Sequence, residues 1–464
     1  MTDSSEIGRI LFSGGFRIPG KTPKKQIDLN KSDKGKKGDL RTFSSEVIDK
    51  IDPSVRDKCL KCRGTKKLCG KSRCPILAEY YSQLDEEGTQ FDKKNLSGNS
   101  PPSVFVGRYD YPKVSVGPMT PPSKGDTSVY STPEKWFGEK GFEDIIGYRG
   151  KMARGKKRLR DGVGIKQNLD RDVENTRYLA LSKSPTETEM MFDKKLSDEI
   201  KLDYRTQPYG PSGDIQELEI GSTSSKKEVE RVFYDDELKS EKGVYKLYRE
   251  GVLVSKIQDL FMVGGVGLRE NRRFVPTRWS ITAVDDIIGK KLREKVKRYR
   301  LKDSYEVYTA KYLDNQWAII LTPTPWKYEL IEAFYPETTW NPNRNGITIY
   351  SDYEHLNGRD EYASLGGCYY SARLAVAEKL NKEKRQAGAI VLREAHPGYI
   401  LPVGVWNVRE SVRNALKTEP RKCDTEEEMI KYIDGIMDLD PSEWESVSGL
   451  LRNKNKQKQI EDFI

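Results

Sequence analysis

The sequence predicts an α+β protein with two mixed α/β domains, an N-terminal four-cysteine zinc element and a C-terminal docking tail. At 464 residues the chain is too long for one ordinary core. Both halves contain short β-branched runs, which are typical of strands, and segments in which apolar residues follow helical spacing. Four of the six cysteines lie close together near the start of the chain.

The composition indicates a charged surface around a sizeable interior. The net charge is +10, and 25 Tyr, 13 Phe and 7 Trp supply material for packing. A basic balance favours a polyanionic partner such as DNA or RNA. No apolar run approaches the roughly 20 residues that a bilayer crossing needs, so we predict no membrane association. We expect a cytoplasmic, nucleoid-associated protein.

Cysteine spacing predicts one structural Zn²⁺ ion near the start of the chain. The pattern C-x2-C-x6-C-x4-C is formed by Cys59, Cys62, Cys69 and Cys74. Four thiolates close a tetrahedron around zinc and leave no open position, so such a site stabilises a fold and performs no chemistry. Gly64 and Gly70 supply the backbone freedom that returns the second pair of thiols to the ion.

Other interpretations of the four cysteines are two disulfides, four unrelated thiols or an iron–sulfur cluster. We expect no signal peptide, and a reducing cytosol disfavours disulfides. The bacterial and plant-type spacings of iron–sulfur clusters differ from this one. Paired cysteine spacing therefore favours zinc.

We predict five segments along the chain. Residues 1–45 hold ten Lys or Arg against five Asp or Glu and read as a flexible arm. A polar stretch at residues 205–230 favours a boundary between the two larger domains. The segments are residues 1–45 (basic arm), 46–83 (zinc element), 84–220 (N-terminal α+β domain), 221–451 (C-terminal α+β domain) and 452–464 (docking tail).

In the first half, valine-rich runs at residues 104–106 and 114–116 predict two strands. They bracket the loop Arg108-Tyr109-Asp110-Tyr111-Pro112. The loop either packs its tyrosines on a core or offers a stacking platform for a base. Packing is the simpler interpretation of an aromatic turn.

The second half contains strand and helix patterns in alternation. Strands are predicted at 244–248, 252–254, 307–312, 317–321, 345–350, 389–392 and 403–406. Thr282 and Asp285 form a capping box for a helix running to about Tyr299. A second helix runs from Cys368 to about Arg385.

Two basic stretches are candidates for contact with nucleic acid. Residues 149–160 contain seven basic side chains and no acid, and such a run repels itself unless an anion neutralises it. The helix ending near Tyr299 carries a second basic face. An ordinary solvated surface is the alternative for both. The predicted phosphate contacts are Arg154, Lys156, Lys157, Arg158, Lys290, Lys291, Arg293 and Lys297.

One region gathers the side chains that an enzyme could use. Gly366 and Gly367 precede the helix that begins at Cys368, whose amino end could bind an anion. The candidate catalytic residues are Arg278, Glu354, His355 and Arg359. A structural role is the commoner one for a histidine. Whether any reaction is catalysed is left open.

Long strings of this sequence resemble the archaeal NreA DNA-repair protein family. They are residues 59–74, 100–112 (SPPSVFVGRYDYP), 274–282 (FVPTRWSIT) and the region from Tyr353 to Arg373. The resemblance covers most of the chain. It implies a part in DNA-damage repair and binding to the sliding clamp, PCNA, and it assigns no catalytic residue.

The last eight residues have a physical interpretation as a clamp-binding peptide. Gln457 is followed by an aliphatic residue at +3 and bulky residues at +6 and +7, namely Ile460, Phe463 and Ile464. One 3₁₀ turn places these three on one face, which could fill an apolar pocket while Gln457 fills a polar one. The final Ile departs from the usual second aromatic. An amphipathic turn packed on its own domain is the alternative.

The sequence thus predicts a repair factor that binds the clamp, carries a structural zinc and contacts DNA. One alternative is a zinc-stabilised enzyme acting on nucleic acid or a nucleotide. Another is a zinc protein associated with RNA or the ribosome, which the basic charge permits equally well.

Overall fold

The structure, a computed structural model, describes most of the chain from residue 94 to residue 452. The described residues are 24–27, 58–59, 62, 68–71, 74–77, 81, 91, 94–165, 169–196, 200–203, 206–338, 340–341, 346–399 and 401–452. They form mixed α/β structure, which confirms this part of the predicted fold class. The chain divides into two compact units. Unit 1 comprises Met1–Lys61, Gly289–Leu401 and Asn407–Ile464, and unit 2 comprises Cys62–Ile288 and Pro402–Trp406.

Strands occur along the whole described part of the chain. They are β1 (Lys25–Ile27), β2 (Asn95–Ser100), β3 (Val104–Val106), β4 (Ser115–Thr120), β5 (Ala153–Arg158), β6 (Thr186–Phe192), β7 (Lys201–Asp203), β8 (Thr206–Tyr209), β9 (Ser212–Ile220), β10 (Arg300–Leu301), β11 (Tyr305–Tyr312), β12 (Asn315–Thr322), β13 (Tyr328–Phe334), β14 (Ile347–Glu354), β15 (Arg385–Gln386), β16 (Gly388–Ala395) and β17 (Arg421–Cys423).

Helices alternate with these strands. They are α1 (Phe142–Gly150), α2 (Arg171–Leu181), α3 (Lys227–Phe233), α4 (Ser240–Arg249), α5 (Val254–Met262), α6 (Thr277–Val296), α7 (Gly367–Glu383), α8 (Trp406–Ala415), α9 (Glu426–Ile436), α10 (Pro441–Val447) and α11 (Gly449–Arg452).

Unit 1 is built on a sheet in the order β1-β14-β13-β16-β12-β11-β17, as far as its residues are described. Only the β13–β16 pair among its recorded pairings is parallel. Every residue of β12, β13 and β16 is buried, because both faces of these central strands are covered. On one face, isoleucines of the sheet pack with Met429, Ile433 and Trp444 of α9 and α10.

The other face of this sheet is covered in part by α7. The residues from Tyr369 to Ala377 are all buried, which is typical of a helix enclosed by its own domain. The Tyr328 hydroxyl of β13 donates to the Tyr369 carbonyl over 3.1 Å. The contact between β13 and α7 therefore includes a hydrogen bond as well as apolar packing.

Unit 2 is built on a sheet in the order β2-β6-β9-β5-β4-β3. The β5–β9 pair is parallel, and the other recorded pairs are antiparallel. One apolar cluster joins strands β3 and β4 to helix α2, with Val104, Val116 and Leu179 among its members. A second joins β6 and β9 through Met190, Phe192, Ile215 and Leu218.

Several predicted elements are confirmed. Strands β3 and β4 flank the aromatic loop, β11 and β12 form the predicted hairpin, and β14, α7 and β16 lie where expected. Leu313 and Asp314 connect the hairpin with φ angles of 49° and 50°. Within the predicted polar stretch, residues 206–209 and 212–220 form β8 and β9.

Four predictions about the second half, three strands and one helix cap, are wrong. The runs at 244–248 and 252–254 are not strands, because α4 contains the first and α5 begins at Val254. Thr282 and Asp285 cap no helix, because α6 already begins at Thr277. The run at 403–406 is not a strand, and Trp406 begins α8. In the three mispredicted strands, tertiary packing of β-branched and aromatic residues overrides their local strand propensity.

Other predictions fall partly or wholly outside the described residues. Three residues of the predicted basic arm form β1, which pairs with β14. The predicted zinc element at residues 46–83 is described only at residues 58–59, 62, 68–71, 74–77 and 81, and the docking residues 457–464 lie outside the described residues altogether.

Candidate functional site

The cysteine run is described at all four thiol positions. Cys59 and Cys62 are buried in helical turns, whereas Cys69 and Cys74 are half-buried. Gly70 has a φ of +71°, a left-handed conformation that glycine adopts at little cost. This observation agrees with the predicted turn between the second pair of cysteines. Zinc itself stays a prediction.

Three of the seven basic side chains in the first basic stretch are paired with acids of unit 2. Lys157 contacts Asp172 at 2.5 Å, Lys156 lies 3.3 Å from Asp214, and Arg158 contacts Asp110 at 3.1 Å. These acids are distant in sequence, so counting charges within residues 149–160 overlooked them. The stretch therefore needs an external anion less than its sequence indicates, and phosphate contact stays a prediction.

Two arginines of this stretch are buried or half-buried. Arg149 is 6% exposed, and burial together with nearby Arg154 lowers its pKa to about 9. The guanidinium carbon of Arg154 lies 3.3 Å from the ring centroid of Tyr209, in a cation–π arrangement.

Burial lowers the pKa of Lys157, but the hydrogen bond and charge of Asp172 raise it by more, so its pKa lies above the usual value.

The aromatic loop presents one tyrosine to solvent and packs the other. Tyr109 is 73% exposed, whereas the Tyr111 ring lies 5.1 Å from that of Trp279. Arg158, the last residue of β5, lies opposite Ser115, the first residue of the adjacent strand β4. This register places the end of β5 beside the loop. We call the basic and aromatic side chains here the loop-end patch: Arg108, Tyr109, Lys113, Arg158 and Arg160.

The second basic stretch is divided between surface and interior. Lys291 and Lys295 are exposed on α6, and Arg298 is exposed in the turn that follows this helix. Arg293, predicted on the basic face, is 8% exposed and lies 3.4 Å from Glu354. Lys297 contacts Glu294 at 3.2 Å. The exposed part of this stretch is therefore smaller than the sequence suggests.

Glu354, a candidate catalytic residue, is the centre of a buried hydrogen-bond network at the end of β14. One carboxylate oxygen accepts from Arg373 at 2.8 Å and Tyr369 at 3.1 Å. The other accepts from Trp326 at 3.1 Å and Arg293 at 3.4 Å. A Cβ at Gly358 would lie 2.1 Å from the Arg293 guanidinium, so only glycine permits this approach, with φ at +85°.

The electrostatics of this network hold Glu354 ionised. Burial raises the pKa of its carboxyl group, but Arg373 and Arg293 lower it by more, so the pKa lies below the usual value. Burial and the Glu354 charge raise the pKa of Tyr369 far above its usual range. A carboxylate with four donors and a lowered pKa suits a structural ion better than a general acid.

Two other candidate catalytic residues of unit 1, His355 and Arg359, contact groups other than Glu354. His355 is exposed and lies on a turn, with its ring 5.4 Å from that of Tyr353. Arg359 donates to the Tyr353 carbonyl at 2.7 Å and contacts Asp352 at 3.1 Å. Arg278 belongs to unit 2, whereas the other three belong to unit 1. Their catalytic roles stay predictions.

Sequence reasoning missed the partners that complete this network. Arg373 and Tyr369 lie on one helical face, four residues apart, and Trp326 precedes β13. A helix with four-residue spacing of Tyr and Arg was visible in the sequence. Nothing local, however, indicated that this face meets Glu354.

A second group of polar side chains surrounds His396 in unit 1. Its imidazole Nε2 lies 3.8 Å from Glu394 and 3.7 Å from Asp438, and the Tyr335 ring lies 4.3 Å from the imidazole ring, tilted by 31°. Burial lowers the pKa of His396, but Glu394, Asp314 and Asp438 raise it by more, so the pKa lies above the usual value. The group therefore favours positive charge at this position.

Comparison with known proteins covers both halves of the chain. The family model described as Archaeal Nre, N-terminal, matches residues 68–341, and the model described as Archaeal Nre, C-terminal, matches residues 354–463. No helix among the described residues combines the length and apolarity that a membrane span requires.

Three curated relatives are similar over most of their length. DNA repair protein NreB of Archaeoglobus fulgidus is 39% identical over 407 residues, which cover 88% of this chain and 100% of the relative. DNA repair protein NreA of the same organism is 34% identical, covering 79% and 90%. DNA repair protein NreA of Haloferax volcanii is 34% identical, covering 75% and 84%.

Proposed function

Because this chain belongs to the archaeal Nre family, we propose that it is a DNA-repair factor that docks on the sliding clamp. The observation that carries the proposal is its similarity, over most of its length, to proteins named DNA repair proteins. The finer parts are a clamp-binding tail, a DNA-binding surface and one structural zinc ion. Glu354 accepts four donors, which argues against a catalytic role for this one candidate residue.

The tail would bind the clamp as a short peptide. The matched C-terminal family region extends to residue 463 and so includes most of the predicted motif. Ile460, Phe463 and Ile464 would occupy an apolar pocket, and Gln457 a polar one. The spacer at residues 453–456 is polar, which suits a peptide that reaches away from its domain. Tethering of this kind raises the local concentration of the protein at replication or repair sites.

Calorimetry with the purified clamp tests this docking. Deleting residues 457–464, or changing both Ile460→Ala and Phe463→Ala, is expected to abolish detectable binding. Each buried anchor of such a peptide contributes on the order of 2 kcal/mol or more. Asn455→Ala in the spacer is the matched control and should bind as the unmodified chain does. Equal affinities for the deleted and full chains would refute clamp docking by this tail.

The loop-end patch is the described surface that best suits DNA. An exposed aromatic ring can stack on any base, and nearby cations attract the backbone. Tyr109 is 73% exposed, and Arg158 is half exposed despite its contact with Asp110. A partly neutralised arginine can exchange its carboxylate for a phosphate, whereas a buried one such as Arg149 cannot.

One zinc ion, bound by Cys59, Cys62, Cys69 and Cys74, would stabilise the start of the folded chain. The donor set supports this assignment, because four thiolates without other ligands are characteristic of structural zinc. Burial of the first pair and the left-handed Gly70 are consistent with a closed site. The ion would take no part in a reaction.

A further inference from the structure

We propose that Glu394, His396 and Asp438 bind a divalent transition-metal ion in unit 1. These residues are separate in sequence from the four cysteines. The proposal rests on their geometry and is independent of the role in DNA repair. The ligands would be one imidazole nitrogen and two carboxylates, completed by water.

The three donor atoms are already grouped at nearly the spacing that one ion imposes. All lie within 4.8 Å of one another. His396 Nε2 is 3.8 Å from an oxygen of Glu394 and 3.7 Å from one of Asp438. Two donors bound about 2.1 Å from one ion at tetrahedral angles lie roughly 3.4 Å apart. The two distances from His396 exceed this value by a few tenths of an ångström, and the two carboxylates, within 4.8 Å of each other, would approach by up to about 1.4 Å on binding.

Backbone hydrogen bonds hold two of these residues in place. Glu394 accepts from the amides of Asp438 at 3.1 Å and Leu439 at 2.7 Å. The His396 amide donates to the Asp314 carbonyl at 3.0 Å. A carboxylate has about four lone-pair positions, so two amide bonds leave room for a metal. Such outer contacts orient ligands in advance of binding.

The donor set and exposure indicate the class of ion. One nitrogen and two carboxylate oxygens suit Mn²⁺, Co²⁺ or Zn²⁺ rather than a thiolate-preferring ion. Glu394 is fully buried and His396 nearly so, whereas the Asp438 side chain is 60% exposed. The ion can therefore enter from the Asp438 side, where water would occupy its remaining positions.

Mn²⁺ titration of the full-length protein tests the site. Free Mn²⁺ gives an electron paramagnetic resonance signal that binding diminishes, and thiolates compete poorly for this ion. We expect one Mn²⁺ per chain in addition to any zinc. A parallel titration with Co²⁺ should give the weak visible bands of nitrogen and oxygen ligation, without the intense near-ultraviolet absorption of thiolates.

Two variants assign the ligands. Asp438→Asn changes an exposed side chain and should weaken Mn²⁺ and Co²⁺ binding at least about ten-fold. His396→Gln should weaken both further, and thermal melting will report whether this variant folds. The control Asp360→Asn changes another exposed aspartate of unit 1 and should bind as the original chain does. The proposal is overturned if neither ion binds below millimolar concentrations, or if Asp438→Asn binds both as tightly as the unmodified protein.

Discussion

Arg373 and Glu354 form an ion pair of 2.8 Å inside unit 1, where their side chains are 1% and 0% exposed. A buried pair contributes little by itself, because desolvation offsets the attraction. Its disruption is costly, however, since one charge then remains in the interior without its partner. This asymmetry makes the pair a sensitive test of the fold of unit 1.

Replacing Arg373 should strongly destabilise the protein. Arg373→Met removes the shortest of the hydrogen bonds to Glu354 and leaves its carboxylate with less compensation. We expect a loss of about 3–5 kcal/mol in the free energy of unfolding, measured by chemical denaturation. Arg300→Ala is the control, because the Arg300–Asp303 pair is 78% and 67% exposed. Its removal should cost less than about 1 kcal/mol. Similar losses for both variants would contradict the structural role of Arg373.

The contribution of Glu354 should depend on pH. Its folded pKa lies below the ordinary 4.5, so the folded state favours the ionised form. The resulting stabilisation is fully present above the unfolded pKa and is lost as pH falls through the folded value. The difference in unfolding free energy between the original chain and Glu354→Gln should therefore shrink between about pH 5 and pH 3. A difference that stays constant over this range would show that Glu354 does not titrate below its ordinary pKa.

Tyr109 should contribute to binding of single-stranded DNA by stacking. Tyr109→Ala is expected to weaken binding by about 1–3 kcal/mol in a fluorescence anisotropy titration. Tyr234→Ala is a matched control in the same unit, because Tyr234 is also exposed, at 71%. Equal effects of the two substitutions would remove the argument for the loop-end patch.

The basic residues of the same patch should govern the salt dependence. Changing Arg158→Ala and Arg160→Ala together should weaken binding to all sequences alike. Each lost phosphate contact should lower the slope of log affinity against log salt by about 1. A slope that is unchanged in this double variant would exclude the patch as the phosphate-binding surface.

Zinc content should depend on the first cysteine pair. Elemental analysis of protein purified without chelator is expected to find one zinc per chain. Changing Cys59→Ser and Cys62→Ser together should remove it, whereas Cys368→Ser, outside the run, should retain it. Absence of zinc from the unmodified protein would contradict the assignment.

Elements defined by local pattern were predicted well. The hairpin β11–β12, the strands around the aromatic loop and helix α7 follow from alternation, turn residues and helical spacing within short windows. The errors at residues 244–248, 252–254 and 403–406 arose where strand-forming residues are packed in or near helices. Burial against other segments stabilises these side chains in a helix as well as in a strand. A short stretch of sequence does not show which segments they pack against.

By itself the sequence determined the mixed α/β class, the cysteine pattern and the family likeness, because each depends on residue order alone. Only the tertiary structure decided which charges remain available. Three basic residues of β5 are paired with acids from other segments, namely Arg158 with Asp110, Lys157 with Asp172 and Lys156 with Asp214. Glu354 accepts a hydrogen bond from Arg293, which is 61 residues away in sequence. It also gathered Glu394, His396 and Asp438 around one point. Electrostatic interaction depends on distance in space, and only the folded chain brings groups that are far apart in sequence within a few ångströms of one another.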